Sequence, residues 1–428
     1  MSALVSTGRV VLALLAALFG VASTGALLGA ATVTDRLPLF LLAGLAAFCA
    51  AYPLGLLLVT RRAGPDQRRR VPAVWFCAGT ALVAGAFAWT ALLPMEDPRL
   101  PPSPTAGQRF WELLTGSRVA YVRVPAEVRA RPTPIIFLCG GPGIPGMKGD
   151  SEYFGELARD GFHVYVYDMV GRGRSARLAD PRDYTLERDV SDLEALRKEI
   201  GAERVVLIGH SYGGTLAAAA YAASHPERVE KMVLSSPGDP SPSAGGASMT
   251  FRLTTEEKLG VYALLLPPRP MLAYALLQVN PEAAHAFAGD KELDARFDLV
   301  YNRTRPALHC RNKPLGPRLH GLGFYAHYYR QSATSPPHEN FLPALAEQEP
   351  PALIIKGRCD YLSWSSAVEY LGAMPDAGLV YLQESGHNAY QDEPERFMAG
   401  VRAFLSGRSL PGLPYEGSGL PEGYQGPP

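Results

Sequence analysis

Residues 205–214, which read VVLIGHSYGG, constrain this chain more than any other stretch. Four apolar residues, three of them β-branched, predict a short buried strand, and the alanine-rich segment that follows predicts a helix. Between them Ser211 stands at the centre of a G-x-S-x-G motif, whose glycines permit a sharp turn from strand to helix. Such a turn lifts the serine hydroxyl above the sheet and presents the next N–H, on Tyr212, to a developing negative charge. A chance Gly/Ser turn is the alternative, and the flanking strand and helix argue against it.

Three long uncharged runs, at 10–34, 37–60 and 71–95, fill most of the N-terminal part of the chain. Each is long enough, at about 20 residues, to cross a bilayer, so the sequence predicts a membrane region over 1–95 with three transmembrane helices. A buried helix or a cleaved signal peptide would explain one run but not three. This region makes the lipid bilayer an expected partner.

The loop between the second and third runs, residues 61–70, contains five arginines. Positive charge is concentrated in cytoplasmic loops of membrane proteins, so this loop is predicted to be cytoplasmic. The N-terminus then lies in the cytoplasm, and everything after Met95 lies outside. The sequence therefore predicts a multi-pass protein of the cell membrane with a large extracytoplasmic domain.

Beyond the membrane region, apolar strands alternate with helical spacing. A hairpin is predicted over 110–124, and Thr185 is expected to cap a helix that runs to Ile200. Further strands are predicted at 135–138, 162–167, 205–208, 231–234, 353–356 and 379–382. Alternation of this kind predicts an α/β fold, with a mainly parallel sheet and helices on both faces.

The domain organisation follows from breaks in this alternation. The Pro-rich residues 96–108 are predicted to be a linker. The α/β core is predicted over 109–237 and 349–406. The intervening residues 238–348 are too long for a plain loop and predict a helical cap, whose aromatic residues 324–329 either line a pocket or pack on the core. The Gly- and Pro-rich residues 407–428 are predicted to be a disordered tail.

Composition adds two constraints. The chain has 41 basic and 41 acidic residues, so its overall charge does not indicate a nucleic-acid partner. No His/Cys cluster has the spacing of a metal site, and no metal or cofactor is expected. Three cysteines, Cys139, Cys310 and Cys359, lie in the later part, where one pair could bridge outside the cell; the spacing does not say which. The oligomeric state is left open.

A serine nucleophile needs a base and an acid that orients the base, and in this type of sheet both follow the serine along the chain. Asp360 follows the strand at 353–356, and His387 follows the strand at 379–382. The order Ser211, Asp360, His387 therefore predicts a catalytic triad at one edge of the sheet. A turn aspartate and a surface histidine are the alternatives, and Asp239 is a weaker rival for the acid.

The oxyanion site needs two donors, and Tyr212 N–H is one of them. The second is expected in the glycine-rich loop after the strand at 135–138, where the backbone can approach a substrate carbonyl closely. Gly141 is the predicted donor and Gly140 the alternative. Other histidines are weaker candidates for the base, because they lie beside the serine or in the cap: His210, His309, His320, His327 and His338.

Residues 109–237 and 350–406 resemble the α/β-hydrolase fold and, within it, the proline iminopeptidases, a family of serine aminopeptidases. The family pattern H-G-G-P-G is matched at 140–143, with Cys139 in place of the histidine. The pattern D-x-R-G-x-G-x-S is matched at 168–175, with Val170 in place of the arginine. The nucleophile turn and the loops that hold Asp360 and His387 match as well.

The resemblance implies a hydrolase that removes N-terminal residues from short peptides through an acyl-enzyme. In the family, cap glutamates bind the free amino group of the substrate, but no motif selects among the glutamates of this cap: Glu256, Glu257, Glu282 and Glu292. An esterase or lipase-like hydrolase of acyl esters is the first alternative function. Two others are a catalytically inactive membrane-tethered sensing module and a transporter built from the membrane region; the intact triad and the uncharged runs argue against them.

Overall fold

A computed structural model describes residues 22–62, 85, 88–95, 104–141, 144–215, 225–240, 248–331, 340, 342–348, 351–410, 415, 417 and 419–428. By internal contacts the chain divides into two compact units. One comprises Met1–Asp97 with Ala263–Glu292, and the other comprises Pro98–Tyr262 with Leu293–Pro428.

The second unit is built on a sheet of eight strands. They are β1 (Arg109–Glu112), β2 (Arg118–Val124), β3 (Ile135–Leu138), β4 (Val164–Tyr167), β5 (Val205–His210), β6 (Val229–Ser235), β7 (Ala352–Cys359) and β8 (Ala377–Gly386). Their order across the sheet is β1-β2-β4-β3-β5-β6-β7-β8. β2 is antiparallel to both of its neighbours, and the strands from β4 to β8 pair in parallel. The predicted hairpin and the six further predicted strands are all present.

Parallel pairing places the carboxyl ends of β3, β5, β7 and β8 at one edge of the sheet. β5, the central strand, is buried along its whole length, which explains its uninterrupted apolar sequence up to Gly209. The loops that follow these strands therefore converge at the same edge. This arrangement brings together residues that are up to 250 positions apart in the chain, as is usual for sites in parallel sheets.

Helices connect the strands of this unit. Those that lie wholly in it are Met147–Phe154, Leu186–Ile200, Phe324–Gln331, Leu342–Gln348, Trp364–Ala373, Ala389–Asp392 and Pro394–Leu405. Thr255–Leu265 and Asp290–Thr304 lie partly in it. The predicted helix after Thr185 is confirmed: the Thr185 hydroxyl accepts the Arg188 N–H at 3.2 Å, and Gly201, at φ +73°, ends the helix. A cluster of aromatic rings packs the helices onto the sheet, with Phe137 stacked on Phe154 at a centroid distance of 4.0 Å.

The first unit combines N-terminal helices with part of the predicted cap. Its helices are 22–31, Leu37–Arg62, Pro268–Val279 and Pro281–Phe287, with a π-helical turn at Ala88–Leu92. Buried apolar side chains, among them Leu27 and Phe40, form its core. Part of the insertion predicted as a cap is thus built into the N-terminal unit.

Buried polar contacts explain why residues 263–292 belong to that unit. Arg269 forms an ion pair with Glu292 at 2.7 Å and donates to the carbonyl of Leu92 at 2.8 Å. The Asn280 side chain donates to the carbonyl of Ala31 at 2.7 Å. Each contact satisfies a group whose burial without a partner would be costly.

Among the residues whose side chains the structure describes, no single helical stretch is both long enough and apolar enough to cross a membrane. Residues 22–31 form a shorter apolar helix, and of the helix Leu37–Arg62 only 37–51 enter this comparison. Thr255–Leu265 with Pro268–Val279 reach the required length only when counted together across a break. Residues 10–21 of the first predicted span and most of the third, 71–95, lie outside the described residues.

The final part of the tail that is predicted to be disordered, 407–428, makes defined contacts in the structure. Residues 419–428 return to the second unit, where Trp364 N–H donates to the carbonyl of Pro427 at 2.9 Å. The ring of Tyr424 packs against Trp364 at a centroid distance of 5.4 Å. Glycine and proline content predicted disorder, but one aromatic anchor with backbone hydrogen bonds is sufficient to hold a short segment.

Candidate active site

Ser211 follows β5 directly and has a backbone conformation that serine rarely adopts. Its φ is +52°, and its N–H donates to the Ser235 carbonyl at 2.8 Å, which holds it there. Such left-handed conformations cost about 1–3 kcal/mol and are concentrated at functional sites. At Gly213 a Cβ atom would lie 2.2 Å from the carbonyl oxygen of Leu138, so only glycine fits. The predicted helix after this turn lies largely in 216–224, outside the described residues.

His387 and Asp360 lie together at the ends of neighbouring strands, β8 and β7. Nδ1 of His387 is 2.8 Å from Oδ1 of Asp360, and both side chains are almost completely buried. Because an ionised carboxylate can only accept, Nδ1 carries the proton in neutral His387 and Nε2 is left free as a base. The structure thus places the predicted acid and base in direct contact.

Lys356 is a third member of this group that the sequence interpretation missed. Its Nζ lies 3.0 Å from Oδ2 of Asp360, and both side chains are fully buried. Burial alone would raise the pKa of Asp360, but the charges of Lys356 and His387 outweigh burial and hold that pKa well below its usual range. The signal in the sequence was a lysine directly after the apolar residues 352–355 of β7, four residues before the acid.

Replacement of Lys356 by methionine is expected to move the acidic limb of the kcat/KM profile to higher pH. Without the ammonium group, the Asp360 carboxylate attracts the imidazole proton of His387 more strongly, so the base stays protonated to higher pH. A shift on the order of one pH unit is expected for a charge at this range in a partly shielded site. Lys231→Met, on the neighbouring strand β6, should leave the acidic limb in place. An unshifted profile in Lys356→Met would contradict the conclusion that the charge of Lys356 acts on Asp360 and His387.

The structure shows no direct hydrogen bond between Ser211 and His387. His210, the residue before Ser211, has its ring centroid 4.9 Å from that of His387. Its Nδ1 lies 3.3 Å from Ser235 Oγ, and its Nε2 lies 3.2 Å from Oδ1 of Asn388. The hydrogen bond between a nucleophile and its base is often long in structures without substrate and tightens in the Michaelis complex.

His210 is unsuited to be the base. Burial, together with the nearby charge of His387, lowers the pKa of His210 to about 3, so its ring is neutral. Both ring nitrogens already have polar neighbours. The His210 ring is therefore held beside His387 and is not available to take the Ser211 proton.

The loop after β3 lies against Ser211, as the predicted oxyanion site requires. A Cβ atom on Gly140 would lie 2.8 Å from Cβ of Ser211 and 2.7 Å from the His210 ring, so the glycine backbone is in close contact with both. Gly141 follows at φ +36°. The backbone N–H groups of Gly141 and Tyr212 thus belong to two segments that meet at the serine, and their function as donors remains a prediction.

The rival candidates lie elsewhere. The carboxylate of Asp239 contacts the hydroxyl of Ser363 at 3.3 Å, not the histidine. Among the cap glutamates, Glu257 forms an ion pair with Arg311 at 3.0 Å, and Glu292 is paired with Arg269 inside the other unit.

The structure chooses among the three cysteines. Cys310 and Cys359 form a disulfide between buried positions, with their Cα atoms 5.3 Å apart. Cys139 is a buried free thiol, and burial raises its pKa to about 12, which leaves it protonated and unreactive. Cys359 directly precedes Asp360, so the disulfide is attached to the loop of the acid.

The aromatic helix Phe324–Gln331 packs onto the core through an ion pair that the sequence did not reveal. Arg330 holds Asp189 through two contacts of 2.5 and 2.6 Å, and the same carboxylate accepts the Tyr212 hydroxyl at 2.7 Å. Buried Phe324 and Tyr325 lie on this helix. The aromatic residues 324–329 were expected either to line a pocket or to pack on the core. For the buried Phe324 and Tyr325, these contacts support packing on the core.

Comparison with known proteins identifies the family. Residues 133–394 match the family model of the alpha/beta hydrolase fold. The proline iminopeptidase of Lactiplantibacillus plantarum is 25% identical over 289 residues, a match that covers 67% of this chain and 96% of the relative.

Solved structures are similar at the level of the fold. A proline iminopeptidase from Mycobacterium smegmatis aligns with 21% identity and a TM-score of 0.46, covering 70% of this chain and 98% of that protein. An esterase from Exiguobacterium antarcticum aligns with 19% identity and a TM-score of 0.47, covering 69% of this chain and 98% of the esterase. The family model and the sequence relatives confirm the resemblance inferred from the motifs.

Proposed function

The chain belongs to the alpha/beta hydrolase fold family and is a serine hydrolase, and from this premise we propose that Ser211, His387 and Asp360 carry out its acyl transfer. One observation carries the proposal: His387 and Asp360 are in contact at the sheet edge where Ser211 stands on a strained turn. The combination of a nucleophile, a base and an orienting acid is recognised by this geometry.

In the proposed mechanism, Nε2 of His387 takes the Ser211 hydroxyl proton as Oγ attacks the substrate carbonyl carbon. The carbonyl oxygen becomes an oxyanion, which accepts hydrogen bonds from Tyr212 N–H and Gly141 N–H. The imidazolium then gives its proton to the leaving amine or alcohol, and an acyl-enzyme forms. Water repeats the sequence: His387 takes its proton, the hydroxide attacks the ester, and Ser211 regains its hydrogen. Asp360 remains ionised throughout and stabilises the imidazolium.

The favoured substrate is the N-terminal bond of a short peptide, or an aminoacyl amide. The relatives named as proline iminopeptidases and the matching motifs at 140–143 and 168–175 support this choice. The Cys139 and Val170 departures lie in those same motifs. They bear on substrate preference and not on the triad.

An ester substrate is the second candidate, and one observation favours it. Two cap glutamates that could have bound a free amino group, Glu257 and Glu292, are engaged in ion pairs with arginines. A carboxylate neutralised in this way binds a substrate ammonium group less well. An acyl ester needs no such group, and a membrane-tethered enzyme would have lipid esters at hand.

Substrate profiling separates the two candidates. The full-length protein in detergent is expected to cleave aminoacyl p-nitroanilides, with the proline derivative foremost, at a higher kcat/KM than p-nitrophenyl acyl esters. N-acetylation of the same anilides should abolish cleavage if a free amino group is recognised. A strong preference for esters, unaffected by amino-group blocking, would overturn the peptidase proposal in favour of the esterase.

The protein is proposed to be anchored in the cell membrane by its N-terminal region, with the hydrolase domain outside. The three uncharged runs and the arginine-rich loop at 61–70 support anchoring and orientation. On the helix that begins at Leu37, the side chains of Leu39, Leu42 and Leu45 are each half or more exposed, and they recur on one helical face. The buried disulfide Cys310–Cys359 supports the outside location, because disulfides persist in oxidising compartments.

Protease added to intact cells is expected to digest the hydrolase domain of the proposed topology. Reporter tags in the 61–70 loop and at the C-terminus should give opposite results, with only the C-terminal tag removed. Carbonate extraction should leave the protein with the membrane pellet. A C-terminal tag that survives protease in intact cells and is lost only after lysis would contradict the orientation.

A further inference from the structure

A buried segment of the insertion, Leu308–Cys310, contacts the loops of both the acid and the base. We propose that this segment and Asp392 form a brace that positions Asp360 and His387 for reaction. The inference rests on the proposed triad and adds Asp392 to it as a positioning residue.

The brace holds the acid loop covalently. Cys310 is bonded to Cys359, and the residue after Cys359 is Asp360. The two cysteines are 49 residues apart in sequence and both buried, so the bond fastens a distant segment of the insertion to the end of β7. Asp360 can therefore move away from His387 only if this segment moves with it.

The brace holds the base loop on both sides of His387. Before it, Gly386 N–H donates to Oδ2 of Asp392 at 2.7 Å. After it, Asn388 N–H donates to the carbonyl of Leu308 at 3.1 Å. With both neighbouring peptide groups bonded, the backbone of His387 has little freedom to rotate.

Asp392 joins these contacts to one another. Its Oδ1 lies 2.6 Å from Nδ1 of His309, and its Oδ2 also accepts Cys310 N–H at 3.3 Å. The Asp392 and His309 side chains are almost completely excluded from solvent. A buried carboxylate with three donors is a strong local constraint, since losing it would leave those donors without a partner.

An ion pair that only adds stability would not be tied to the site in this way. These contacts hold the loop of Asp360 or the loop of His387. Misplacement of a catalytic group by about 1 Å can cost about 100-fold in rate. Loss of the brace should therefore lower kcat and leave KM nearly unchanged, since Asp392 is not proposed to contact substrate. The neighbouring acid Glu393 offers a matched control, because its carboxylate accepts Glu384 N–H and the Ser385 hydroxyl, each at 2.8 Å, further from His387.

The test compares Asp392→Ala, Asp392→Asn and Glu393→Ala in the full-length protein. Readouts are the rate of Ser211 labelling by a fluorophosphonate probe, kcat and KM on the best chromogenic substrate, and the urea midpoint of unfolding. Asp392→Ala is expected to lower kcat and the labelling rate together by up to about 100-fold. Asp392→Asn, which keeps an acceptor oxygen, should recover most of the loss. Glu393→Ala should lower stability with kcat near that of the wild type.

The disulfide provides a second arm. Dithiothreitol, or the double change Cys310→Ser/Cys359→Ser, should lower kcat in the same way. Cys49 is a free cysteine on the helix Leu37–Arg62, so Cys49→Ser should respond to dithiothreitol like the wild type. When the double change is combined with Asp392→Ala, the total fold-loss in kcat should be smaller than the product of the two separate fold-losses, because both changes act on one brace. A wild-type kcat in Asp392→Ala, or equal losses in Asp392→Ala and Glu393→Ala that follow stability, would overturn the brace. Undiminished labelling and turnover in His387→Ala would instead overturn the triad beneath it.

Discussion

Ser211→Ala is expected to lower kcat by about 10⁶-fold, the loss seen when the nucleophile of a comparable triad is removed. The physical reason is that Ser211 supplies the hydroxyl that attacks the substrate carbonyl, and alanine has no nucleophilic group to replace it. Labelling by a fluorophosphonate probe should disappear completely, since the probe reacts with an activated serine hydroxyl. The measurement is gel-based labelling together with kcat/KM on the best chromogenic substrate.

Ser191→Ala is the matched control, because Ser191 is an exposed helical serine whose hydroxyl bonds only within its own helix. It should retain full labelling and turnover. Ser211→Gly should be as inactive as the alanine variant but more stable, since glycine adopts a φ of +52° without the strain of about 1–3 kcal/mol. Persistent labelling in folded Ser211→Ala would place the nucleophile elsewhere.

The sequence was sufficient to predict the sheet and the positions of Ser211, Asp360 and His387 because these depend on local patterns. Each residue directly follows a recognisable apolar strand, and parallel strands bring their carboxyl ends to one edge. The contact between Asp360 and His387 follows from that topology without knowledge of any side-chain packing.

The disulfide and the partner of Lys356 could not be predicted from local sequence patterns. Three cysteines offered several possible bridges, and the choice of Cys310 with Cys359 depends on how the insertion folds back over β7. Lys356 ends the apolar run of β7, and only the structure shows that Asp360 is its partner.

Boundaries were the least predictable feature. Residues 263–292 are helical, as expected for a cap, but buried polar contacts of Arg269 and Asn280 assign them to the N-terminal unit. The side chains of Arg269 and Asn280 hydrogen-bond within that unit, and hydropathy patterns do not register such contacts. Composition likewise missed the anchoring of the tail by Tyr424.

Asp189→Ala is expected to destabilise the second unit by about 3–5 kcal/mol, the usual cost of leaving a buried charge without its partner. Burial disfavours the charged form of Arg330, yet the charge of Asp189 outweighs burial and raises the pKa of Arg330 above its ordinary value. Because arginine is not deprotonated in proteins, the guanidinium stays charged when the carboxylate is removed. The urea midpoint of unfolding measures the loss, and Glu112→Gln, which breaks the exposed pair with Arg118, should change stability by no more than about 1 kcal/mol.

The double variant Asp189→Leu/Arg330→Met separates stability from catalysis. Apolar side chains of similar volume often replace a buried ion pair without loss, so stability should largely return. Activity should stay low, because the Tyr212 hydroxyl loses its acceptor and the backbone of Tyr212 carries a proposed oxyanion donor. If kcat and stability return together, the ion pair only holds the aromatic helix in place; if kcat stays low in a stable protein, Asp189 positions the oxyanion site through Tyr212.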